Sequence, residues 1–481
     1  MSSKRIPCDQ CRARRVRCDG LLPCSPCQHT RLACKREYVR KQRGPKGGSG
    51  KKIEELRVAQ NEELKDHLCP ENVPRLMKRC VDVYLRQMYP VMPLCRPSTL
   101  VQWAGRPLEL EPNEESMLFA LCALVTAFLC GRSESIIGCG EWASASQRLL
   151  EKSLSMRSAY NFIEDGTVLT LLASFFVAVT HFELHNARQS WFYLREAITL
   201  AQALGLHTDE FYCGLDYVDA FYCRRIYNIL FVTERSFAIA RQKPVFLQGP
   251  LELLPVPESD AGLEEQPEID LEFRQLVRVY SEIGIDFFHF WSRTGSNSSK
   301  SWKLRGSDLR LNSDYCVAMS ETQKADILVT QHWLDLILWR AALEQGLLST
   351  GAESRSRTFS YPEDIALSLL KTLTALPQES VEVHGLGIFE KINDVGNTLA
   401  DFIQCSTNLT GWTATTAQNL DRLGSIQKHL SLSPNSHTLF AGSLGRRLAE
   451  CYHNKASMLD MLLIADEDAE TDEQETNDFH V

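Results

Sequence analysis

The sequence is short of every feature that would make it secreted, membrane-spanning or catalytic. Its start, MSSKRIPCD, has no apolar core of signal-peptide length, which argues against secretion. The longest apolar stretches, around Met117 to Cys130 and Val168 to Thr180, fall short of the roughly 20 residues that cross a bilayer, so no membrane association is expected. No Gly-rich phosphate loop precedes a helix. The nearest thing to a metalloprotease motif is His181, Glu183 and His185, but H-x-E-x-H, although it also spaces its histidines by four, puts the glutamate on the opposite side of a helix from them. Glu234–Arg235 and Arg195–Glu196 read as ion pairs between helices, not as catalytic dyads. The chain is therefore expected not to be an enzyme.

Sustained strand alternation is also absent, and long stretches carry 3.6-residue apolar spacing. In SWFYLREAITLAQALGLH, the residues Trp191, Leu194, Ala197, Ile198, Ala201 and Leu204 line one face and Gly205 follows as a stop. Arg224 to Ala240 repeats the pattern with Ile226, Ile229, Leu230, Thr233 and Phe237. The expectation is an all-α, roughly solenoidal body over residues 69–456, with disordered surface insertions near Gly295 to Asp314 and Ser349 to Ser360.

What the sequence has in plenty is cysteine and an uneven charge. Residues 1–52 hold fifteen Lys and Arg against Asp9, Asp19 and Glu37, a net of +12, so the rest of a chain with total charge −9 carries −21. A basic head on an acidic body suits docking a polyanion with one end. Of the seventeen cysteines, Cys8, Cys11, Cys18, Cys24, Cys27 and Cys34 fall in the first 34 positions, as C-x2-C-x6-C repeated after five residues. With no export signal these read as reduced metal ligands rather than disulfides. Tetrahedral zinc takes four ligands, so two ions on six cysteines must share two bridging sulfurs. Six thiolates and two Zn²⁺ leave −2, which neighbouring Arg and Lys offset. Fewer than 40 residues cannot build an apolar core, so metal binding supplies the folding free energy of the head. The third cysteine of each half lies seven residues, about two helical turns, after the second, and is expected on the same face of a short helix. A one-zinc ribbon on Cys8, Cys11, Cys24 and Cys27 would leave Cys18 and Cys34 idle although both sit at the same offset.

Arg12, Arg14, Arg15 and Arg17 place four cations in six positions, which repel one another on a bare helix and make sense against phosphate. From Arg40 to Lys52, RKQRGPKGGSGKK reads as a basic flexible linker and nuclear address. Residues 53–68 are helix-prone, with Ile53 and Leu56 at coiled-coil spacing but Gln60 and Glu63 next, a candidate homodimer segment. The end, 457–481, has no Lys or Arg and carries nine acidic residues among Leu459, Leu462, Leu463, Ile464 and Phe479. It reads as a disordered acidic tail available to transcriptional coactivators.

The segment CDQCRARRVRCDGLLPCSPCQHTRLAC, with Pro23 ahead of the fourth cysteine, resembles the fungal Zn2Cys6 binuclear-cluster transcription factors. The resemblance implies a Zn2Cys6 domain over 1–39 with two zinc ions bridged by Cys8 and Cys24, a helix from about Asp9 to Arg17 in the major groove, and a helical fungal transcription-factor domain in the body. It implies that Arg14 or Arg15 reads bases in CGG-like triplets of double-stranded DNA, while Arg12 and Arg17 neutralise backbone. Arg15 stands where the family commonly has Lys, and it offers a bidentate fork to guanine. KQRGPKG, the KKI segment and VPRLMKRCVDVYLRQMYPVMP are similar to the maltose-utilisation activators over roughly the first 100 residues. The expected function is that of a nuclear positive regulator of RNA polymerase II genes, with a secondary-metabolite gene cluster as the favoured target. Maltose or other α-glucoside utilisation genes are the alternative.

Overall fold

A computed structural model describes residues 7–35, 72–129, 142–257, 267–292, 319–349, 351 and 354–453. The chain divides into two compact units, 1–66 and 67–481. Every regular element among the described residues is helical, so the chain is all-α as expected. The linker 40–52, the candidate dimer segment 53–68, the insertion 295–314 and the acidic tail 457–481 lie outside the described residues.

The first unit holds two five-residue helices, α1 (Asp9–Ala13) and α2 (Ser25–His29), each starting directly after the first cysteine of its half. The expected helix to Arg17 ends four residues early. Arg15 takes a left-handed conformation (φ 57°), Val16 N–H returns to Cys11 O and Arg15 N–H to Arg12 O. The second half repeats this turn at Arg31 (φ 51°), with Leu32 N–H on Cys27 O and Arg31 N–H on Gln28 O. Both are Schellman endings, which satisfy the last carbonyls of a helix and reverse the chain. The third cysteines therefore lie beyond the helices, not on their faces. Seven residues of continuous helix would have carried Cys18 and Cys34 about 10 Å along the helix axis, whereas the reversed chain brings them back.

The second unit begins with α3 (Val73–Val83) and α4 (Pro97–Gly105). Next come α5 (Pro112–Phe128), α6 (Trp142–Met156), α7 (Val168–Glu183) and α8 (Ala187–Ala203). Helix α5 packs against both α6 and α7, and it is buried from Ser116 to Phe128. That enclosure explains its continuous apolar run. No helix among the described residues is long and apolar enough to cross a membrane. The α8 stripe is as expected: Leu194, Ala197, Ile198 and Ala201 are buried and Gly205 (φ 81°) ends the helix. Trp191 stacks on Phe237 of α10 (Tyr217–Arg241), which follows the one-turn α9 (Asp209–Tyr212). Glu234 of α10 accepts the N–H groups of Phe246 and Leu247 at 2.9 Å and pairs with Arg195 at 3.0 Å, while Arg235 donates to Leu247 O and Gln248 O. These groups anchor the irregular segment that follows α10; burial pushes Glu234 up from its ordinary value.

After α11 (Pro267–Ser281) and α12 (Ile285–Trp291), the long α13 (Glu321–Glu344) packs on α14 (Tyr361–Ala375), α15 (Gln378–Glu382) and α16 (Gly385–Thr410), and α17 (Ala414–Leu432) packs on α14 and α16. These gather around one core that includes Val329, Leu369, Ile392, Leu399, Leu423 and Leu444. A solenoid repeat touches only its neighbours. Here α14 touches α13, α16 and α17, so this half is a bundle rather than a further step of a stack. Within the expected insertion 349–360, the described part is ordered. Arg355–Arg357 forms a 3-10 turn, Arg357 O accepts Ser349 N–H, and Trp339 Nε1 donates to Thr358 O at 2.9 Å. A buried indole pins a segment whose composition reads as loop.

Of the H-x-E-x-H trio, His181 is buried and stacks on Tyr193, and His185 lies beyond the helix in a left-handed turn. Both Glu183 oxygens accept Leu386 N–H, at 3.0 and 3.1 Å, at the start of α16. The neighbouring Gly385 (φ 63°) is required, because a Cβ there would sit 2.5 Å from Glu183 Oε1 and 2.6 Å from Phe128. The trio thus joins helices and does not converge on a metal.

Candidate metal centre and nucleic-acid interface

The six cysteines of the head converge. Cys8, Cys11, Cys24 and Cys27 are fully buried, and Cys18 and Cys34 pack against them. Their sulfurs form two four-membered groups, Cys8–Cys11–Cys18–Cys24 and Cys8–Cys24–Cys27–Cys34, each with all Sγ atoms within 4.8 Å of one another. Cys8 and Cys24 belong to both. Within the groups the Sγ separations are 3.6 Å for Cys8–Cys24 and Cys8–Cys27 and 3.5 Å for Cys11–Cys24. A tetrahedron with zinc–sulfur bonds of about 2.3 Å has edges of about 3.8 Å, so these spacings suit zinc thiolates. A four-cysteine ribbon would not draw in Cys18 and Cys34.

The thiols differ in how readily they lose a proton. The Cys11 amide N–H donates to Cys8 Sγ at 3.4 Å and, with the neighbouring thiols, brings Cys8 down to about 6. Burial pushes Cys24 and Cys27 up. A metal must therefore displace protons from the buried thiols, which ties its uptake to pH.

The backbone around the sulfurs follows the 16-residue repeat. Asp9 N–H donates to Lys35 O at 2.9 Å, and at the equivalent place Ser25 N–H donates to Asp19 Oδ2 at 2.8 Å. Each half thus closes on the start of the other. Asp19 also accepts Leu21 N–H, and the Ser25 hydroxyl with these amides holds its carboxyl below the usual range. Lys35 N–H donates to Gln10 Oε1.

The four arginines are exposed. Arg12 is on α1, Arg14 is its C-cap, and Arg15 and Arg17 lie on the turn beyond it. They are not equivalent. Arg14 Nη1 donates to Thr30 Oγ1 at 3.1 Å and Nη2 to Pro26 O at 3.2 Å, so its guanidinium spans the two halves. Thr30 is its counterpart in the repeat, one signal by which this strut is traceable in the sequence; Asp19 and Ser25 were likewise not singled out there. Arg14→Ala should cost the head about 1 kcal/mol. Faster zinc loss to a chelator at fixed pH would register it, and unchanged release would show the strut to be idle.

Comparison with known proteins places these observations. Residues 6–44 match the fungal Zn(2)-Cys(6) binuclear cluster domain, and residues 112–323 match the fungal specific transcription factor domain. A maltose fermentation regulatory protein of Saccharomyces cerevisiae is 24% identical over 405 residues, 82% of this chain and 83% of its own. A probable sucrose utilization protein of Candida albicans is 26% identical over 421 residues, 84% and 80% of the two chains. The respiratory transcription factor ZNF1 of Saccharomyces cerevisiae is 24% identical over 418 residues, 84% and 86%. The matched families and relatives are transcription regulators, not enzymes. The expected emphasis on secondary metabolism finds no support among them, and the carbohydrate alternative is the better match. The cluster domain binds two zinc ions, which fold it when bound, and its six thiols fit that role in number and spacing. The chain thus carries a fungal Zn(2)-Cys(6) binuclear cluster domain over residues 6–44 and a fungal specific transcription factor domain over residues 112–323.

Proposed function

We propose that this protein is a nuclear activator of α-glucoside utilisation genes, those for maltose or sucrose uptake and cleavage. The observation that carries this reading is similarity along four-fifths or more of both chains to a maltose fermentation regulatory protein and a probable sucrose utilization protein, body included. A shared cluster alone would be family-wide; here the similarity runs on through the body.

In this reading Cys8, Cys11, Cys18, Cys24, Cys27 and Cys34 hold the two zinc ions, with Cys8 and Cys24 bridging. Arg15, presented by the left-handed turn with no partner across the repeat, reads a guanine of a CGG-like triplet. Arg12 and Arg17 neutralise phosphates, and Arg14, already engaged, adds charge while holding the halves together. The segment 53–68 brings two chains to paired half-sites, and the tail 457–481 recruits coactivators. Arg15→Ala should lose about 1–3 kcal/mol on cognate DNA and relax one base position, while Arg17→Ala weakens all sequences alike.

The deciding measurement is a genome-wide map of where the chain sits on its own DNA. Peaks over CGG-like triplets upstream of glucosidase and sugar-transporter genes are expected. Peaks confined to one contiguous block of biosynthetic genes would replace this reading with that of a secondary-metabolite regulator.

A further inference from the structure

The helical body holds a half-open cavity of about 530 Å³ between its two halves. Ligand pockets commonly fall between about 300 and 1,000 Å³. Helices α5, α7 and α10 and the segment before α4 line it with Met88, Phe128, Phe175, Phe182, Ile229 and Phe237. Apart from Glu183, Arg241 and Tyr280, its ionisable residues come from α13 and α16 and the residue that precedes α16, His384.

The charges of this wall are matched within the wall. Arg340 makes a forked pair with Asp394, at 2.7 and 3.0 Å, and Asp394 also accepts Trp333 Nε1. Arg241 pairs with Glu390 at 2.6 Å. Lys391 lies 3.6 Å from Asp326 and donates to Thr330 at 2.7 Å. Glu183 is taken by Leu386 N–H, and His384 Nε2 meets Thr322 O at 2.7 Å. An ion entering the cavity would lose its hydration and find no spare counter-charge, so the wall discriminates against charged molecules. Among the polar atoms of the lining residues, Asn393 Oδ1 is buried and has no hydrogen-bond partner. Buried acceptors are nearly always satisfied, and Asn393 lines a space large enough to bring a donor.

We infer that this cavity is a binding site for an uncharged small molecule with an apolar ring body and a hydroxyl group, the body against the phenylalanine side and the hydroxyl donating to Asn393. The inference stands apart from the choice of target genes, since it rests on the body alone. It also places any effector between the two halves that Glu183 and Gly385 join, where occupancy bears on both.

Matched probes on the full-length chain test it. At pH 7, 2-naphthol is neutral and 2-naphthoate is an anion of the same ring. Calorimetric titration should show 2-naphthol binding at least tenfold tighter. Asn393→Leu should weaken 2-naphthol about tenfold or more and leave naphthalene unchanged. Ser236→Trp, which fills the cavity from α10, should abolish both, with circular dichroism reporting that the helices persist. Equal binding of the anion, no binding of 2-naphthol, or full binding by either variant would overturn the inference. If Ser236→Trp does not fold, the Asn393→Leu comparison decides alone.

Discussion

Cys24→Ser should empty the head of metal, whereas Cys18→Ser should empty only half of it. Cys24 belongs to both sulfur groups and Cys18 to one. Losing Cys24 leaves each group with three thiols, while losing Cys18 leaves Cys8, Cys24, Cys27 and Cys34 complete. The head has no apolar core besides: among its described residues, the buried hydrophobic ones are the cysteines themselves. Structural zinc contributes roughly 10–16 kcal/mol to folding in small zinc domains, far more than a segment of this size gains from packing. Native mass spectrometry should therefore find two zinc ions in the wild type, about one in Cys18→Ser and none in Cys24→Ser. Affinity of Cys24→Ser for cognate DNA should fall to the non-specific level, on the order of a thousandfold or more. Far-UV circular dichroism of the body should hardly change, because its core is built from other residues. Two zinc ions and wild-type affinity in Cys24→Ser would refute the bridged arrangement.

Lys391→Met should destabilise the body by about 3–5 kcal/mol at neutral pH, since it strands Asp326 in a half-buried site without its counter-ion. Burial alone would raise the Asp326 carboxyl, but Lys391, His384 and the Thr330 hydroxyl outweigh it and hold it below its ordinary value. Lys391 in turn is desolvated, yet Tyr280 and Asp326 hold it above its ordinary value. The signs follow. A carboxyl lowered in the folded state contributes stability above its unfolded pKa of about 3.9, which is lost as pH falls through the folded value. An ammonium raised in the folded state contributes below its unfolded pKa of about 10.4, and that is lost as pH rises through the folded value. The pair is thus worth most between about pH 4 and 10. Chemical denaturation across pH should show the wild-type advantage over Lys391→Met shrinking towards pH 3. Adding Asp326→Asn to Lys391→Met should recover part of the loss at pH 7. A loss that is the same at pH 3 and pH 7, and unrelieved in the double variant, would trace it to packing instead.

Both effects involve residues whose importance was unequally visible beforehand. The cysteine repeat points to its metals without a structure, because four ligands per ion and six thiols admit few solutions. The same repeat did not disclose that the helix after Cys8 stops at Ala13, since RARRVR is a permissible helix and only the left-handed turn at Arg15 brings Cys18 back to the other sulfurs. Nor did it separate the arginines: Arg14 and Arg15 are adjacent in sequence, yet one bonds across the halves and the other does not. Helical spacing in α8 and α10 was legible from apolar periodicity. By contrast, the ordered turn at Arg355–Arg357 reads as loop because what holds it is an indole from Trp339.

The sequence by itself determined the metal, the helical class, the basic head and the family, for each depends on residue types at short spacing. Tertiary structure decided which charges are spent on one another and where space is left. Asp326 meets Lys391 sixty-five positions away, Arg225 meets Asp270, and Glu183 caps a helix that begins some two hundred residues later. Such pairings carry no local signal. They arise when apolar faces pack and the buried polar groups must find partners among whatever packing brings near, and the cavity with its one unsatisfied amide oxygen is what that process left open.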